Sequence, residues 1–266
     1  MAPLRDRDRE RVLVPVGGAS IDVVVEGVGP AIVLLPSSLR DSLDFDPLAE
    51  RLAAGGHRVL RPQPRGMGRS SPPPPDMTLA TLAADVAGVI GALGDGPAVV
   101  VGHAYGHWVA RVTDHLYPDR VAGVVVLAAA AQAFPSGVAE QLAIASDTNR
   151  PNAERLTSLQ ACMFAPGNDA SVWLTGWYPQ WRTAYRQASQ SPARALWYGH
   201  THAPLLDLQG ADDVWRPPHT RGELTGLLGP KAEARLVPRA GHAMVPEQPD
   251  LVAEAVLDWV RTRVWP

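Results

Sequence analysis

One stretch, residues 98–111, constrains the fold of this chain more than any other; it reads A-V-V-V-G-H-A-Y-G-H-W-V-A-R. Its first four residues are a short β-branched run of the kind that fills a buried strand, and the run stops at Gly102. Helix-type sequence starts within two residues, so the backbone has to turn sharply from strand to helix around Ala104. Gly102 and Gly106 flank that residue, and residues without a Cβ let backbone segments pass closely at such a turn. The stretch therefore predicts a strand, a tight turn with the alanine of G-x-A-x-G at its apex, and a helix folded back on the strand.

The rest of the chain repeats that alternation. Residues 11–16 and 20–26 surround Gly17-Gly18 and read as a β-hairpin. An apolar run at 31–35, a helical pattern at 44–54 through Phe45, Leu48 and Leu52, and a short strand at 58–61 follow. Leu79, Leu82, Val86, Val89, Ile90 and Leu93 mark an amphipathic helix over 78–93 that leads into the strand at 98. Further strands are predicted at 121–127, 204–209 and 234–237, with a last helix over 251–264. Strand and helix in alternation imply an α/β fold, a mostly parallel sheet of eight strands covered on both faces. Between 133 and 201 the pattern is helical but irregular, and this segment holds four of the eight tryptophans, Trp173, Trp177, Trp181 and Trp197. It reads as a helical cap inserted into a core made of 1–132 and 202–266. Its rings are either the small core of that cap or the wall of an apolar pocket beneath it, as ligand sites are mostly apolar.

Composition narrows the partners. A formal charge of -3 leaves no basic footprint for nucleic acid. Residues 1–11 are charged and carry no apolar stretch, so neither a secretory signal nor a membrane anchor is expected. The one cysteine, Cys162, allows no internal disulfide and no thiolate metal cluster. A cytoplasmic protein, monomer or homodimer, acting on a small molecule is the expectation. His103 and His107 are separated by the turn and fall in no metal-binding spacing, so no metal and no cofactor are expected.

Three further motifs in this order resemble the α/β-hydrolase fold family over nearly the whole chain. R-G-M-G-R-S at 65–70 is similar to that family's loop after the fourth strand, G-A-D-D at 210–213 to its acid loop, and A-G-H at 240–242 to its histidine loop. The family's nucleophile elbow reads G-x-S-x-G, and Ala104 stands where the serine is placed. The resemblance implies His242 as general acid/base and Asp213, rather than its neighbour Asp212, as the carboxylate that fixes the imidazole tautomer. It also implies an oxyanion hole from the N–H groups of Tyr105 and Ser38, with the Ser37 and Ser38 hydroxyls close by. Gln63 stands where many members have aspartate. His103 reads as a buried scaffold residue, and His107 as a ligand contact or a wedge. Trp173, Trp177 and Trp181 are candidates for the pocket wall.

With no hydroxyl at 104, an acyl-serine cannot form. The expectation is an enzyme in which a His-Asp pair either activates water directly or moves a proton on a mid-sized apolar substrate, as in hydrolase, lyase, isomerase or cyclase chemistry. Two alternatives stand beside it: a serine hydrolase inactivated by a serine-to-alanine change at 104, and a non-catalytic small-molecule-binding protein on the same fold.

Overall fold

The computed structural model describes residues 9–265. The expectation for the charged N-terminal stretch therefore falls, up to residue 8, outside the described residues. Eight strands form one sheet: β1 (Arg9–Val16), β2 (Ala19–Glu26), β3 (Ala31–Leu35), β4 (Arg58–Pro62), β5 (Ala98–His103), β6 (Val121–Leu127), β7 (Leu205–Gly210) and β8 (Ala232–Val237). The helices are α1 (Asp46–Ala54), α2 (Leu79–Leu93), α3 (Tyr105–Leu116), α4 (Val138–Ala145), α5 (Asn152–Cys162), α6 (Arg182–Ala188), α7 (Glu223–Leu228), α8 (Met244–Glu247) and α9 (Pro249–Trp259). The order across the sheet is β1-β2-β4-β3-β5-β6-β7-β8. β2 runs antiparallel to both β1 and β4, and every other pair is parallel. Among the described residues no helix is long and apolar enough to cross a membrane.

The alternation of side chains along each central strand splits the core in two. Ile32 and Leu34 of β3 and Val99 and Val101 of β5 pack with α1 and α9 on one face. Val33, Leu35, Ala98 and Val100 pack with α2 and α3 on the other. All five residues of β3 are buried, the signature of a strand covered on both sides.

Several boundaries differ from the sequence reading by one or more residues, and three of them bear on the packing. β5 does not stop at Gly102 but runs through His103, because Gly102 pairs with Leu35 on one side and Val126 on the other, and His103 with Leu127. The helix expected from 44 begins as a 3-10 turn, Ser42–Phe45, capped by the Asp41 carboxylate at the Leu43 N–H, and becomes α-helical only at Asp46. The last helix loosens after Trp259 into a π-turn, Val260–Val264.

The topology places the site. From β3 the chain steps to β4 on one side and then to β5 on the other. The segments leaving the C-terminal ends of β3 and β5 therefore diverge and open a crevice between them, where ligands bind in open parallel sheets. Those segments are residues 36–40 and the turn at Ala104.

Candidate active site

Ala104 makes the strand-to-helix turn with φ 47° and ψ −114°, a conformation that side chains rarely adopt and that costs on the order of 1–3 kcal/mol. It is tied down on both sides. Its N–H donates to the Leu127 carbonyl at 2.9 Å, and its carbonyl accepts from the His107 N–H at 3.0 Å. The His107 ring adds a second bond to that carbonyl through Nδ1 at 2.5 Å. Glycines allow the close approach: a Cβ at Gly102 would sit 2.3 Å from the Gly106 carbonyl oxygen, and one at Gly106 would sit 2.3 Å from that of Leu35. The Tyr105 N–H is then the first of α3, where no intrahelical acceptor exists. The Ser37–Ser38 loop leaves the neighbouring strand with Leu39 at positive φ and the Arg40 N–H on the Ser37 carbonyl.

His242 lies in the loop after β8. It is 5% exposed, and its Nδ1–H donates to Asp213 Oδ2 at 3.0 Å. The other oxygen of Asp213 accepts from the Trp215 N–H at 2.8 Å, so both oxygens of the carboxylate are engaged. Asp212 is exposed. In the neutral imidazole, a proton on Nδ1 leaves the lone pair on Nε2. The Trp215 ring lies 5.3 Å from the imidazole and restricts its rotation.

His103 couples this loop to the turn: its Nε2–H donates to the His242 carbonyl at 2.7 Å. Burial first, then the neighbouring His242 ring, hold its pKa down at about 3. Because 6.5 is the ordinary value, the folded state resists a proton that the unfolded chain accepts. The contribution is fully present above pH 6.5 and is lost as pH falls toward 3, about 2 kcal/mol of it by pH 5. His103→Gln keeps a donor for the carbonyl and cannot be protonated. Its urea-unfolding free energy is expected to fall by about 2 kcal/mol less than that of the parent between pH 7 and pH 5; equal losses would show that His103 is not held neutral.

The structure distributes the other candidate residues differently from the sequence reading. A cavity of about 160 Å³ lies beneath the segment between β6 and β7, lined by Ser37, Ser38, Tyr105, Trp108, Trp177 and Tyr185 among others. Trp177 is the one candidate tryptophan in its wall. Trp173 is 1% exposed, packed edge-on to Phe164 and Trp177. Trp181 covers Gly66, donating from Nε1 to its carbonyl at 2.9 Å. His107 does not line the cavity, and its Nδ1 is spent on the Ala104 carbonyl. Burial holds it neutral, and its Nε2 is a buried acceptor without a partner. Neither Ala104 nor His242 lines this cavity.

Two positioning residues carry no sequence signal. The Arg40 guanidinium lies over both the Trp173 and the Trp177 ring, 4.6 and 4.7 Å from their centroids. It forks onto Asp44 and donates to the Thr175 carbonyl at 2.7 Å, fastening the segment between β6 and β7 to the loop after β3. Glu247 does the same for the histidine loop, accepting from the N–H groups of Gly241 and Ala165 at 2.8 and 2.6 Å and from Asn168 at 2.7 Å. Gln63 Oε1 accepts from the Ser42 N–H at 3.0 Å, and the loop at 65–70 is held by Arg65 on Asp85 and by Arg69 on Asp22. These are structural duties.

Residues 32–255 match the profile of the Alpha/beta hydrolase family. Among curated proteins the chain is similar to the sn-1-specific diacylglycerol lipase ABHD11 of Mus musculus, 26% identical over 87% of this chain and 81% of that protein. It is also similar to Epoxide hydrolase B of Mycobacterium tuberculosis, 38% identical over 36% of this chain and 28% of that protein. The matched region spans about a third of the length of the epoxide hydrolases it resembles. In three dimensions it is similar to a putative non-heme bromoperoxidase, BpoC, from Mycobacterium tuberculosis, with TM-score 0.76 at 23% identity, covering 91% of this chain and 96% of that one. A thermophilic esterase from Thermogutta terrifontis gives TM-score 0.72 at 22% identity, covering 96% and 99%. The eight-stranded sheet and the profile match over most of the chain agree: the protein belongs to the α/β hydrolase family.

Proposed function

We propose that the chain is an α/β-hydrolase-fold enzyme that works without covalent serine catalysis, with His242 as general base and Asp213 as the group that orients it. The buried hydrogen bond between His242 Nδ1 and Asp213 Oδ2 carries this reading. A binding protein would gain nothing from burying that pair, whereas a base needs its second nitrogen free and its tautomer fixed. Ala104 offers a methyl group at the turn, so the lone pair of Nε2 acts on water or on the substrate itself. The N–H groups of Tyr105 and Ser38 stabilise the charge that develops on oxygen.

Residues 133–201 act as a lid. The cavity of about 160 Å³ under it compares with an apolar cavity of about 150 Å³ that takes up benzene, so the closed lid admits a ligand of roughly one ring. Ser37, Ser38, Ser146 and Ser189 with Arg182 and Arg186 supply polar groups in its wall. Bringing such a ligand within reach of His242 requires the side of the lid that bears Trp177 to shift. The hydrolases of esters and epoxides among the relatives favour hydrolysis over proton transfer alone, and with no hydroxyl at 104 that hydrolysis would run by direct water activation.

The test is turnover of a panel of small aryl esters, lactones and epoxides, followed by intact mass during steady state. Hydrolysis without any acyl or alkyl adduct, reduced at least about tenfold in His242→Ala, is the expected result. A stable adduct on the parent, or a rate unchanged in His242→Ala, would overturn the assignment.

A further inference from the structure

Three histidines far apart in the chain meet at the end of α3 away from the turn. His115 Nδ1 lies 2.9 Å from His200 Nε2. One ligating nitrogen from each of His115, His200 and His202 falls within 4.8 Å of the others. The rings stand edge-on to one another, His115 to His200 at 4.9 Å and His200 to His202 at 5.6 Å between centroids. His200 and His202 are exposed and His115 half-buried, so the nitrogens open toward solvent.

The loop that brings them together is rigidly held. Asp114, the neighbour of His115 on α3 and itself 2% exposed, accepts from Thr201 Oγ1 at 3.0 Å, from the His202 N–H at 2.7 Å and from the Ala203 N–H at 2.9 Å. Lys231 Nζ donates to the carbonyls of Thr201 and His202 at 2.9 and 3.2 Å. The backbone between His200 and Ala203 is therefore fixed against the helix that bears His115, and three imidazoles are gathered without a carboxylate or thiolate among them.

We propose that His115, His200 and His202 bind a first-row divalent transition metal of the zinc class. Neutral imidazole suits zinc, copper and nickel, and excludes calcium and magnesium, which take oxygen donors. Three imidazoles with a water in the fourth position complete a tetrahedral shell. A shift of the N–H to the other ring nitrogen frees both His115 Nδ1 and His200 Nε2 as ligands, so the rings stay neutral on binding. The site is separate from His242 and Asp213: His115 is ten residues along α3 from Tyr105, about 15 Å at the helical rise. The metal would join the return of the inserted segment at 200–202 to the helix whose first turn is the Ala104 turn, and so act as a staple rather than a reagent.

The test uses the full chain without a polyhistidine tag, freed of metal by chelator and dialysed against zinc, with bound metal measured by mass spectrometry. One equivalent per chain is expected, with a melting temperature raised by about 5 °C at saturating zinc. Cobalt in its place should give the visible bands of a tetrahedral ion. His115→Gln and His202→Gln should each weaken zinc binding by more than about tenfold, since even loss of an outer-shell partner costs that much. His219→Gln, an exposed histidine outside the cluster, should bind as the parent does. The melting temperatures of the metal-free variants show that each one folds. No saturable binding at millimolar zinc, or one equivalent retained in the doubly substituted His115→Gln/His202→Gln chain, would overturn the proposal.

Discussion

Replacing Ala104 with serine is expected to give a protein that takes up one organophosphonate per chain, on the introduced residue, where the parent takes up none. The backbone already carries the strain of the turn: φ 47° and ψ −114° at Ala104 are imposed by bonds to Leu127 and His107, and a hydroxyl adds no new constraint. The first N–H of α3 follows directly. His242, with its proton held on Nδ1 by Asp213, offers Nε2 as the acceptor that a serine hydroxyl needs within about 2.6–3.2 Å. Intact mass and peptide mapping read the adduct. Adding His242→Ala to the serine variant should slow labelling by about a hundred- to ten-thousand-fold, the usual contribution of a general base. A folded serine variant that takes up no phosphonate would mean that Nε2 does not face position 104, and the proposed base would lose its geometry as well.

The same turn shows how far the sequence can be read. Its position, its two glycines and the strands around it are local signals, and the motifs at 65–70, 210–213 and 240–242 lie on loops at the ends of strands that the apolar runs already mark. In sequence, the choice of Asp213 over Asp212 rests on spacing after a glycine; in the structure one carboxylate is buried on the imidazole and the other is exposed. Residues whose roles arise from distant contacts leave no trace. Arg40 meets Thr175 across 135 positions and Glu247 meets Ala165 across 82, and no periodicity links them. Tryptophans at 173, 177 and 181 look alike in sequence, because helical spacing cannot say which ring packs inside the segment between β6 and β7, which covers Gly66 and which borders a cavity. His107 stays open in sequence between a ligand contact and a wedge for a related reason: its position on the first turn of α3 gives no hint that its own ring bonds the carbonyl of the residue three before it.

Gly106→Ala is expected to destabilise the fold by about 4 kcal/mol or more, the range reached when a substitution has no room to relax. Gly106 is not needed for its φ, since it is the second residue of an ordinary helix. It is needed because α3 lies against the end of β3: a Cβ there would meet the carbonyl oxygens of Leu35 and Pro36 at 2.3 and 2.7 Å. Both belong to backbone: Leu35 ends β3 and pairs with Gly102 of β5, and Pro36 follows it directly, so neither side can yield cheaply. Relief would require α3 to lift off the strand, which would carry the Tyr105 N–H away from the Ser37–Ser38 loop and break the bond between Ala104 and Leu127. The same substitution at Gly226 is the control. It lies in α7 with nothing within 4 Å of the methyl that alanine would add, and alanine there should be neutral or stabilising by up to about 1 kcal/mol. Urea unfolding of the two variants beside the parent reads both effects. If Gly106→Ala unfolded within about 1 kcal/mol of the parent, α3 would be free to shift on β3, and the close fit that places Tyr105 beside the crevice would not be what fixes the site.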